Sequence, residues 1–480
     1  MAQKIGILVV AYNAEKTLAA TLDRIPASLH DQIVEIIVSD DHSADSTYHV
    51  GLEYQESSRL PLTVIRQPRN LGYGGNQKAG YQLAIEHDLD IIVMLHGDGQ
   101  YAPESMPDLL KPLLDGQADA VFGSRMMTKG GALKGGMPLY KFVGNKILTR
   151  FENALLGSSL SEFHSGYRAY SVDALKKIGF TRCADGFHFD TQIIIQLLHH
   201  NQRIVEVPIP TYYGDEISYV NGMAYAFDVV RDVAMYRLHR AGFGSHPLTD
   251  VGEEYAIKED PDSSHAMLLR YFDDATPGTV LDLGCSGGLL AEGIAKRGHR
   301  AIGVDAIEID GVRDRVAEFY VADLSKGLPS EIERDVDYVV MGDLIEHLAN
   351  PAPLLRDARK QMKPNGRLVT SVPNFSHWYP RLRTLLGRFD YDQRGILDAT
   401  HLRFYTRKSI VALLEANGFK VLNVKPTGLP LSAIGIHGLL ARQIRALGGL
   451  LMKFWPTMFG YQFILEATLR DDYFPEGDAV

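Results

Sequence analysis

Cysteine is almost missing from this chain: its 480 residues include two, Cys183 and Cys285. A pair so far apart in sequence is no disulfide framework and fits a reducing cytosol. Also missing is any uninterrupted apolar run of membrane-spanning length, so no transmembrane helix is expected. The first residues, MAQKIGILVVAYN, enter a strand at once and show no signal-peptide cleavage pattern. Nor is there an excess of positive charge. Lys and Arg number 49 against 59 Asp and Glu, a net charge of −10, which argues against a general nucleic-acid binder. The expected setting is therefore cytoplasmic. What the chain does have is a 45% hydrophobic share, enough to bury real cores. Its length suits two or three domains.

The stretch Met94–Glu104, MLHGDGQYAPE, organises the first half. Leu89–Leu95 before it reads as a buried strand. Pro103 and Glu104 after it suit the first turn of a helix. Asp98 is thus expected at the carboxyl end of a strand, where open α/β sheets bind ligands. A carboxylate there can hold a divalent cation that in turn holds a pyrophosphate. The alternative is an Asp that caps the next helix.

Upstream, Ile5–Val10, Ile33–Val38 and Leu62–Ile65 read as strands, Glu15–Leu29 and Gln77–His87 as helices. This alternation predicts an α/β fold with a mostly parallel, doubly wound sheet. Three loops then converge on one sheet edge. Asp40 and Asp41 can accept hydrogen bonds from a nucleotide's ribose or base. Gly72, Gly74 and Gly75 can let backbone N–H groups approach a phosphate, or form no more than a tight turn. Asp98 can supply a metal ligand.

Together AYNAEKTL, IIVSDDHSADST, PRNLGYGGNQKAG and LHGDGQYAPE resemble the successive motifs of family-two inverting glycosyltransferases of GT-A fold. The pattern is most similar to that of polyprenyl-phosphate sugar transferases. It continues in Phe122–Arg125 and Glu162–Tyr170 and covers about the first half. The resemblance implies a nucleotide-sugar donor, with Tyr12, Asn13, Glu15, Asp40 and Asp41 around the nucleotide. It also implies a metal-binding triplet at His96-Gly97-Asp98. The chain departs from the usual pattern there, since the first acid is His96. Histidine ligates Mn²⁺ but is a poor Mg²⁺ ligand. His96 is therefore either a ligand beside Asp98 or a structural residue. Asp190 matches the position of an acid near the acceptor. It is a catalytic base if the acceptor is a glycan hydroxyl. It is a cap or positioning group if the acceptor is a lipid phosphate, which is already ionised. Arg125 and Arg168 are candidate phosphate partners, or a surface charge pair.

Ile204–Pro210 reads as a late strand and Val220–Arg240 as a helix. The tyrosines and basic end of that helix suit either packing on the domain or a peripheral contact with the inner face of a membrane. Residues 1–240 form the first expected domain and 241–263, with the polar run Glu253–Ser264, a linker.

In the second half, Thr279–Leu283 reads as a strand running into the turn Gly284–Gly288 and the helix Leu289–Arg297. Asp305, Asp323 and Gly342 follow at later strand ends. VLDLGCSGGLL, GVDAIE, VADL, YVVMGDLIEHLANP and MKPNGRLVTSVPN resemble class I S-adenosylmethionine-dependent methyltransferases of Rossmann-like fold. The resemblance implies that Gly284 and Gly287 approach the methionine part of the cofactor, and Asp282, Cys285 and Gly342 are further candidate cofactor-binding residues. It assigns Asp305 to the ribose, and Asp323 and Leu324 to the adenine. His347 and His401 are candidate catalytic bases. Asp343-x-x-Glu346-His347 has ligand-like spacing, so a metal that acidifies a hydroxyl stands as an alternative. Residues 264–430 form this second domain and 431–480 an amphipathic extension. The chain is thus expected to be a bifunctional transferase. A scaffold protein with a degenerate first site is the rival reading.

Overall fold

The computed structural model describes residues 3–212, 221–249, 260–329, 331–332, 335–431, 436 and 438–470. The chain divides into two units: Met1–Tyr236 with Pro247–Thr249, and Arg237–His246 with Asp250–Val480. Among the described residues, no helix is long and apolar enough to cross a membrane.

The first unit is built on seven strands: β1 (Ile5–Ala11), β2 (Ile33–Asp40), β3 (Leu62–Arg66), β4 (Ile91–His96), β5 (Ala120–Ser124), β6 (Arg168–Ser171) and β7 (Ile204–Pro208). Their order is β3-β2-β1-β4-β6-β5-β7. β6 alone runs against its neighbours. β1 is a solid apolar run because both of its faces are covered. Ile5, Ile7 and Val9 enter one core and Leu8 the other, as the two-residue period of a strand requires. In the register Ala11 pairs with Asp40 and Val10 with His96. The loops after β1, β2 and β4 therefore leave the sheet at one level.

Two elements depart from the sequence expectation. The helix expected over Glu15–Leu29 is the shorter Leu18–Asp23, followed by a separate turn at Ala27–Leu29. Pro26 between them has no N–H to continue the ladder. The helix expected from Gln77 begins at Tyr73. Gly74 and Gly75 thus lie inside its first turn rather than before it.

The second unit has β8 (Thr279–Leu283), β9 (Arg300–Asp305), β10 (Glu318–Val321), β11 (Val336–Gly342), β12 (Met362–Pro373), β13 (Phe419–Pro426) and β14 (Gln462–Leu469), in the order β10-β9-β8-β11-β12-β14-β13. β8 to β12 are parallel, and β14 is antiparallel to both β12 and β13. This corrects the boundary at 430. Residues 462–469 are no separate extension, because β14 fills the gap between β12 and β13. The helix Gly438–Phe454 that precedes it carries the amphipathic pattern.

The linker also needs correction. Residues 241–246 belong with the second unit. There Phe243 packs edge-on against Tyr379 at 4.8 Å and also meets His377, Trp378 and Tyr461. Positions 253–259 of the expected polar run lie outside the described residues.

Candidate active sites

Asp98 sits two residues beyond β4. Its Oδ1 accepts the Gln100 N–H at 2.9 Å, so it closes a local turn rather than capping the next helix. Its Oδ2 lies 3.9 Å from His96 Nδ1, and its side chain is 45% exposed. Burial alone would raise this carboxyl. His96 and the Gln100 N–H outweigh burial and hold it below the ordinary carboxylate range.

The other loop acids face inward. Asp40 is fully buried; it accepts the N–H and hydroxyl of Ser43 and lies 3.5 Å from Arg66 Nε. Asp41 accepts the N–H groups of Leu71 at 2.6 Å and Gly72 at 3.0 Å. Burial pushes the Asp41 carboxyl up, against those two bonds. Asn13 and Glu15 tie their own loop to the next, through the N–H groups of Ala44 and Ser46. These four side chains thus cross-link the loops at this end of the sheet through the protein's own donors. Tyr12, 42% exposed, and Asn13 are the exposed members of that group.

The glycine turn is corrected in the same sense. The Gly74 N–H donates to the Asp185 carbonyl at 2.7 Å. A Cβ on Gly72 would meet that oxygen at 2.7 Å, and one on Gly74 would meet the Ala184 carbonyl oxygen at 2.4 Å. The close approach that excludes side chains is to the chain's own segment 184–189.

Neither arginine is a surface residue. Arg125, 7% exposed, donates to Glu162, itself 2% exposed. Arg168 is 1% exposed; it donates to the carbonyls of Phe163, Ser165 and Asp190, and its Nη1 lies 3.5 Å from Asp190 Oδ1. Both guanidinium forks are occupied by protein, so they scaffold the site instead of gripping a phosphate.

Asp190 is 6% exposed. Burial raises its carboxyl, opposed by the Arg168 charge and the Tyr73 hydrogen bond. Tyr73 Oη donates to Asp190 Oδ2 at 3.0 Å and lies 3.4 Å from His96 Nε2. Gly166 makes this possible: a Cβ there would lie 2.6 Å from both His96 Nε2 and Tyr73 Oη. Beyond Asp190, His164 reaches Tyr225 Oη at 2.8 Å through Nδ1 and Glu152 at 3.2 Å through Nε2. Thr191 donates to the other Glu152 oxygen at 2.8 Å. The sequence reading missed Tyr73, Tyr101, Glu152 and Gly166. The one available signal was an aromatic residue placed between glycines at a helix start.

In the second unit, the N–H groups of Gly284 and Cys285 both donate to the Val304 carbonyl, and Ser286 N–H donates to Asp305 Oδ2 at 2.7 Å. Gly284 has φ +76°, which a side chain would resist. Gly287 stands in the same turn, its carbonyl held by Arg315 Nη1 at 2.6 Å. Cys285 is 4% exposed, and burial raises its thiol. It is packing under the turn and not a ligand-facing group. Asp282 is 1% exposed, its Oδ2 has no hydrogen-bond partner, and burial together with the Asp305 charge pushes its carboxyl up to about 7. Asp323 is exposed and closes its own turn through Ser325. Leu324 is buried in the core, and Gly342 ends β11.

Glu346, His347 and His401 gather with their ligand atoms within 4.8 Å of one another. Nδ1 of His347 faces the Thr400 carbonyl and Nδ1 of His401 the Ile396 carbonyl, each at 3.2 Å. Burial, then the nearby His347, lowers the His401 pKa. Asp343, expected in this set, turns instead to Ser371 at 2.5 Å and Gln462 at 3.0 Å.

Residues 6–179 match the family model for glycosyl transferase family 2, and residues 258–424 match a methyltransferase domain. An uncharacterized protein of Methanocaldococcus jannaschii is 33% identical over 44% of this chain and 83% of its own length. The UDP-N-acetylglucosamine–dolichyl-phosphate N-acetylglucosaminyltransferase of Methanococcus voltae is 31% identical over 45% of this chain and 88% of its own. The chain belongs to glycosyl transferase family 2. A further relative of its glycosyltransferase unit, the undecaprenyl-phosphate mannosyltransferase of Micrococcus luteus, is 28% identical over 42% of this chain and 81% of its own. With the methyltransferase domain added, this glycosyltransferase is a transferase of two kinds in one polypeptide.

Proposed function

We propose that the first unit moves a sugar, with inversion, from a nucleotide-sugar donor to a polyprenyl-phosphate acceptor. The second moves a methyl group from S-adenosylmethionine to a hydroxyl acceptor. Asp190 carries the choice of acceptor. It is buried and held by Tyr73 and Arg168, so it is ill placed to take a proton from an incoming hydroxyl. A phosphate acceptor arrives ionised and needs no base. Asp190 is then a positioning group, not the catalytic base that a glycan acceptor would require.

The surface beside this network supports a lipid. On the helix Leu139–Leu156, Leu139, Tyr140, Val143 and Ile147 are exposed. Their spacing puts them on one face. Residues 126–151 include Lys129, Lys134, Lys141, Lys146 and Arg150 and no acid. On the helix Gly222–Arg240, Met223, Phe227 and Val230 are also exposed at one-face spacing. His164 bridges the two helices through Glu152 and Tyr225. Exposed apolar stripes flanked by cations suit an anionic lipid surface. The relatives named for dolichyl-phosphate and undecaprenyl-phosphate transfer point the same way.

Asp98 and His96 would hold a divalent cation, whose charge offsets that of the leaving nucleoside diphosphate. Their facing atoms, 3.9 Å apart at an exposed carboxylate, fit that use. In the second unit, Asp305 and the Gly284–Gly287 turn would hold S-adenosylmethionine, which supplies an electrophilic methyl group. The unpartnered Asp282 oxygen beneath that turn fits a bound cation-bearing ligand. His401, held neutral by burial, and His347 would take the acceptor's proton as the methyl group arrives. Glu346 beside them also leaves room for a second divalent cation.

The test offers the full chain UDP- and GDP-sugars with either a polyprenyl phosphate or the matching polyprenol. Glycosylated product from the phosphate alone is the expected outcome. Equal turnover of the alcohol would restore Asp190 as a base and overturn the phosphate reading.

A further inference from the structure

In the methyltransferase unit, the helix Gly438–Phe454 turns its apolar stripe outward. Ala441 is buried, and Arg445 one turn on donates to Asp260 Oδ1 at 2.7 Å, so that side faces the domain. At roughly 3.6 residues per turn, the opposite side carries Leu439, Leu440, Leu447, Leu450 and Phe454, all exposed. A helix that packs on a core does the reverse. The helix Trp378–Leu385 repeats the arrangement. Pro380 is its buried member, while Leu382 and Leu385 are exposed, as are Leu386 and Phe389 just beyond its end.

The two helices are far apart in sequence but join into one surface. Asn374, fully buried before the first of them, donates through Nδ2 to the carbonyls of Thr457 at 2.9 Å and Gly460 at 2.7 Å, just past the second. The Arg381 guanidinium carbon lies 5.7 Å from the centre of the Trp455 ring. Charge here is of one sign. Residues 371–389 and 431–465 include Arg381, Arg383, Arg388, Arg442, Arg445 and Lys453 and neither Asp nor Glu, in a chain of net charge −10. Arg383 holds Asp390 and Asp392 at the border, and Arg445 holds Asp260. The other four cations are exposed. The surface also begins at the cofactor edge of the sheet. Gly342 of β11 pairs with Ser371 of β12, and Val340 of β11 with Asp282 of β8, all in parallel. The chain therefore leaves β12 for the helix Trp378–Leu385 on the edge where β8 meets the Gly284–Gly288 turn.

We propose that the methyltransferase unit docks on an anionic lipid surface through the helices Trp378–Leu385 and Gly438–Phe454. A contiguous exposed apolar surface marks a binding site. Leucines bordered by cations, with a tryptophan under an arginine, match the boundary between acyl chains and anionic headgroups. A protein interface instead centres on Tyr and Trp and is poor in Lys. Docking brings the cofactor edge of the sheet to the lipid, where a lipid-borne methyl acceptor is within reach. That consequence rests on the methyl transfer proposed above; the docking itself does not.

The test is co-sedimentation of the full-length chain with vesicles of phosphatidylcholine mixed with phosphatidylglycerol, against vesicles of phosphatidylcholine alone. The first unit has exposed stripes of its own, so the background variant carries Ile147→Glu and Phe227→Glu. It is expected to keep binding the anionic vesicles, to release them as salt rises, and to bind the neutral ones far less. Adding Leu385→Glu or Phe454→Glu should lower the partition by roughly 10- to 100-fold, the factor for burying one Leu or Phe side chain. Adding Arg442→Gln with Lys453→Gln should lower it by about 10- to 30-fold. All these side chains are exposed, so each variant should keep the wild-type melting curve and S-adenosylmethionine affinity. A background variant that binds no anionic vesicles, equal binding to neutral ones, or unchanged binding on adding Leu385→Glu and Phe454→Glu overturns the docking. So does a lipid-free dimer that either substitution dissociates, since a second copy then covers the face. Failure of the methyl-transfer reading shows separately, as a wild type that binds no S-adenosylmethionine.

Discussion

Acids at strand ends serve opposite purposes in the two units. In the glycosyltransferase unit, Asp40 ends β2 and Asp41 follows it, and both are bonded by the protein's own groups, Ser43 for one and the Leu71 and Gly72 N–H groups for the other. In the methyltransferase unit, Asp282 is buried with an unpartnered oxygen, and half-buried Asp305 touches the N–H groups of Ser286 and Ile307 at the rim of the turn. The same residue type is mortar in one unit, bonded and buried, while in the other it is either bonded at a half-exposed rim, as Asp305 is, or buried with an open valence, as Asp282 is. The difference lies in which donors reach the acid. Ser43 in the loop after β2, and the Leu71 and Gly72 N–H groups after β3, meet Asp40 and Asp41, whereas Asp282 Oδ2 beneath the Gly284–Gly288 turn has no partner. Removing an acid from the first unit should therefore show as lost stability. Removing one from the second should show as altered pH dependence or lost ligand affinity.

The largest effect belongs to the most deeply buried pair. Arg168→Ala leaves Asp190 as an uncompensated buried charge, for which about 3–5 kcal/mol of destabilisation is typical. Denaturant unfolding of the full chain should show the first unit's transition collapse while S-adenosylmethionine binding persists. A loss below about 1 kcal/mol would mean that water reaches Asp190, and the mortar description would fail.

Next is Asp282→Asn, whose sign is opposite. The folded pKa of Asp282 stands at about 7 against an ordinary value of 3.8, so the folded state holds the proton more tightly than the unfolded one. Its contribution is fully present below about pH 4 and is lost as pH rises through 7, by on the order of a few kcal/mol. Asparagine cannot ionise. The variant should therefore match wild type near pH 4 and exceed it above pH 7, read as the second unit's melting temperature across that window. Parallel pH profiles would show that Asp282 is solvated or paired.

The alternation of strands and helices was legible, because apolar runs such as Ile5–Val10 and Thr279–Leu283 are bounded by turn residues. So were the strand-end positions of Asp98 and Asp305. The insertion of β14 between β12 and β13 was not. Its residues follow an exposed helix, Gly438–Phe454, and local patterning does not tell which edge a returning strand will fill. At the glycine turn, a glycine marks close approach without naming what approaches; within the chain it is the Asp185 carbonyl. The arginines were misread because charge in a sequence suggests a surface, while burial depends on the partner that Glu162 or Asp190 supplies through the fold. Tyr73 was invisible as a functional group, since its role exists only once β4 and the helix Phe189–His199 are brought together.

The smallest change in stability sharpens the contrast most directly, by exchanging like for like. Asp41→Ala strips the acceptor from the Leu71 N–H and one of two acceptors from the Gly72 N–H, which keeps Asn70 Oδ1, in a site where Asp41 is 5% exposed. A buried donor without a partner costs about 1–3 kcal/mol, and the glycine turn should exchange its amide hydrogens faster. Asp305→Ala strips the same number of N–H groups, of Ser286 and Ile307, but at a half-exposed rim where water can replace the carboxylate. Its stability should move by less than about 0.5 kcal/mol. What it should lose is affinity for S-adenosylmethionine, by about 1–3 kcal/mol if two ribose hydroxyls lose a charged acceptor. Calorimetric titration and hydrogen exchange on both variants give four readings. If Asp305→Ala destabilises the fold as much as Asp41→Ala does, both acids are mortar. If Asp41→Ala leaves stability untouched but weakens a nucleotide-sugar, both are ligand groups, and the distinction between the two units disappears.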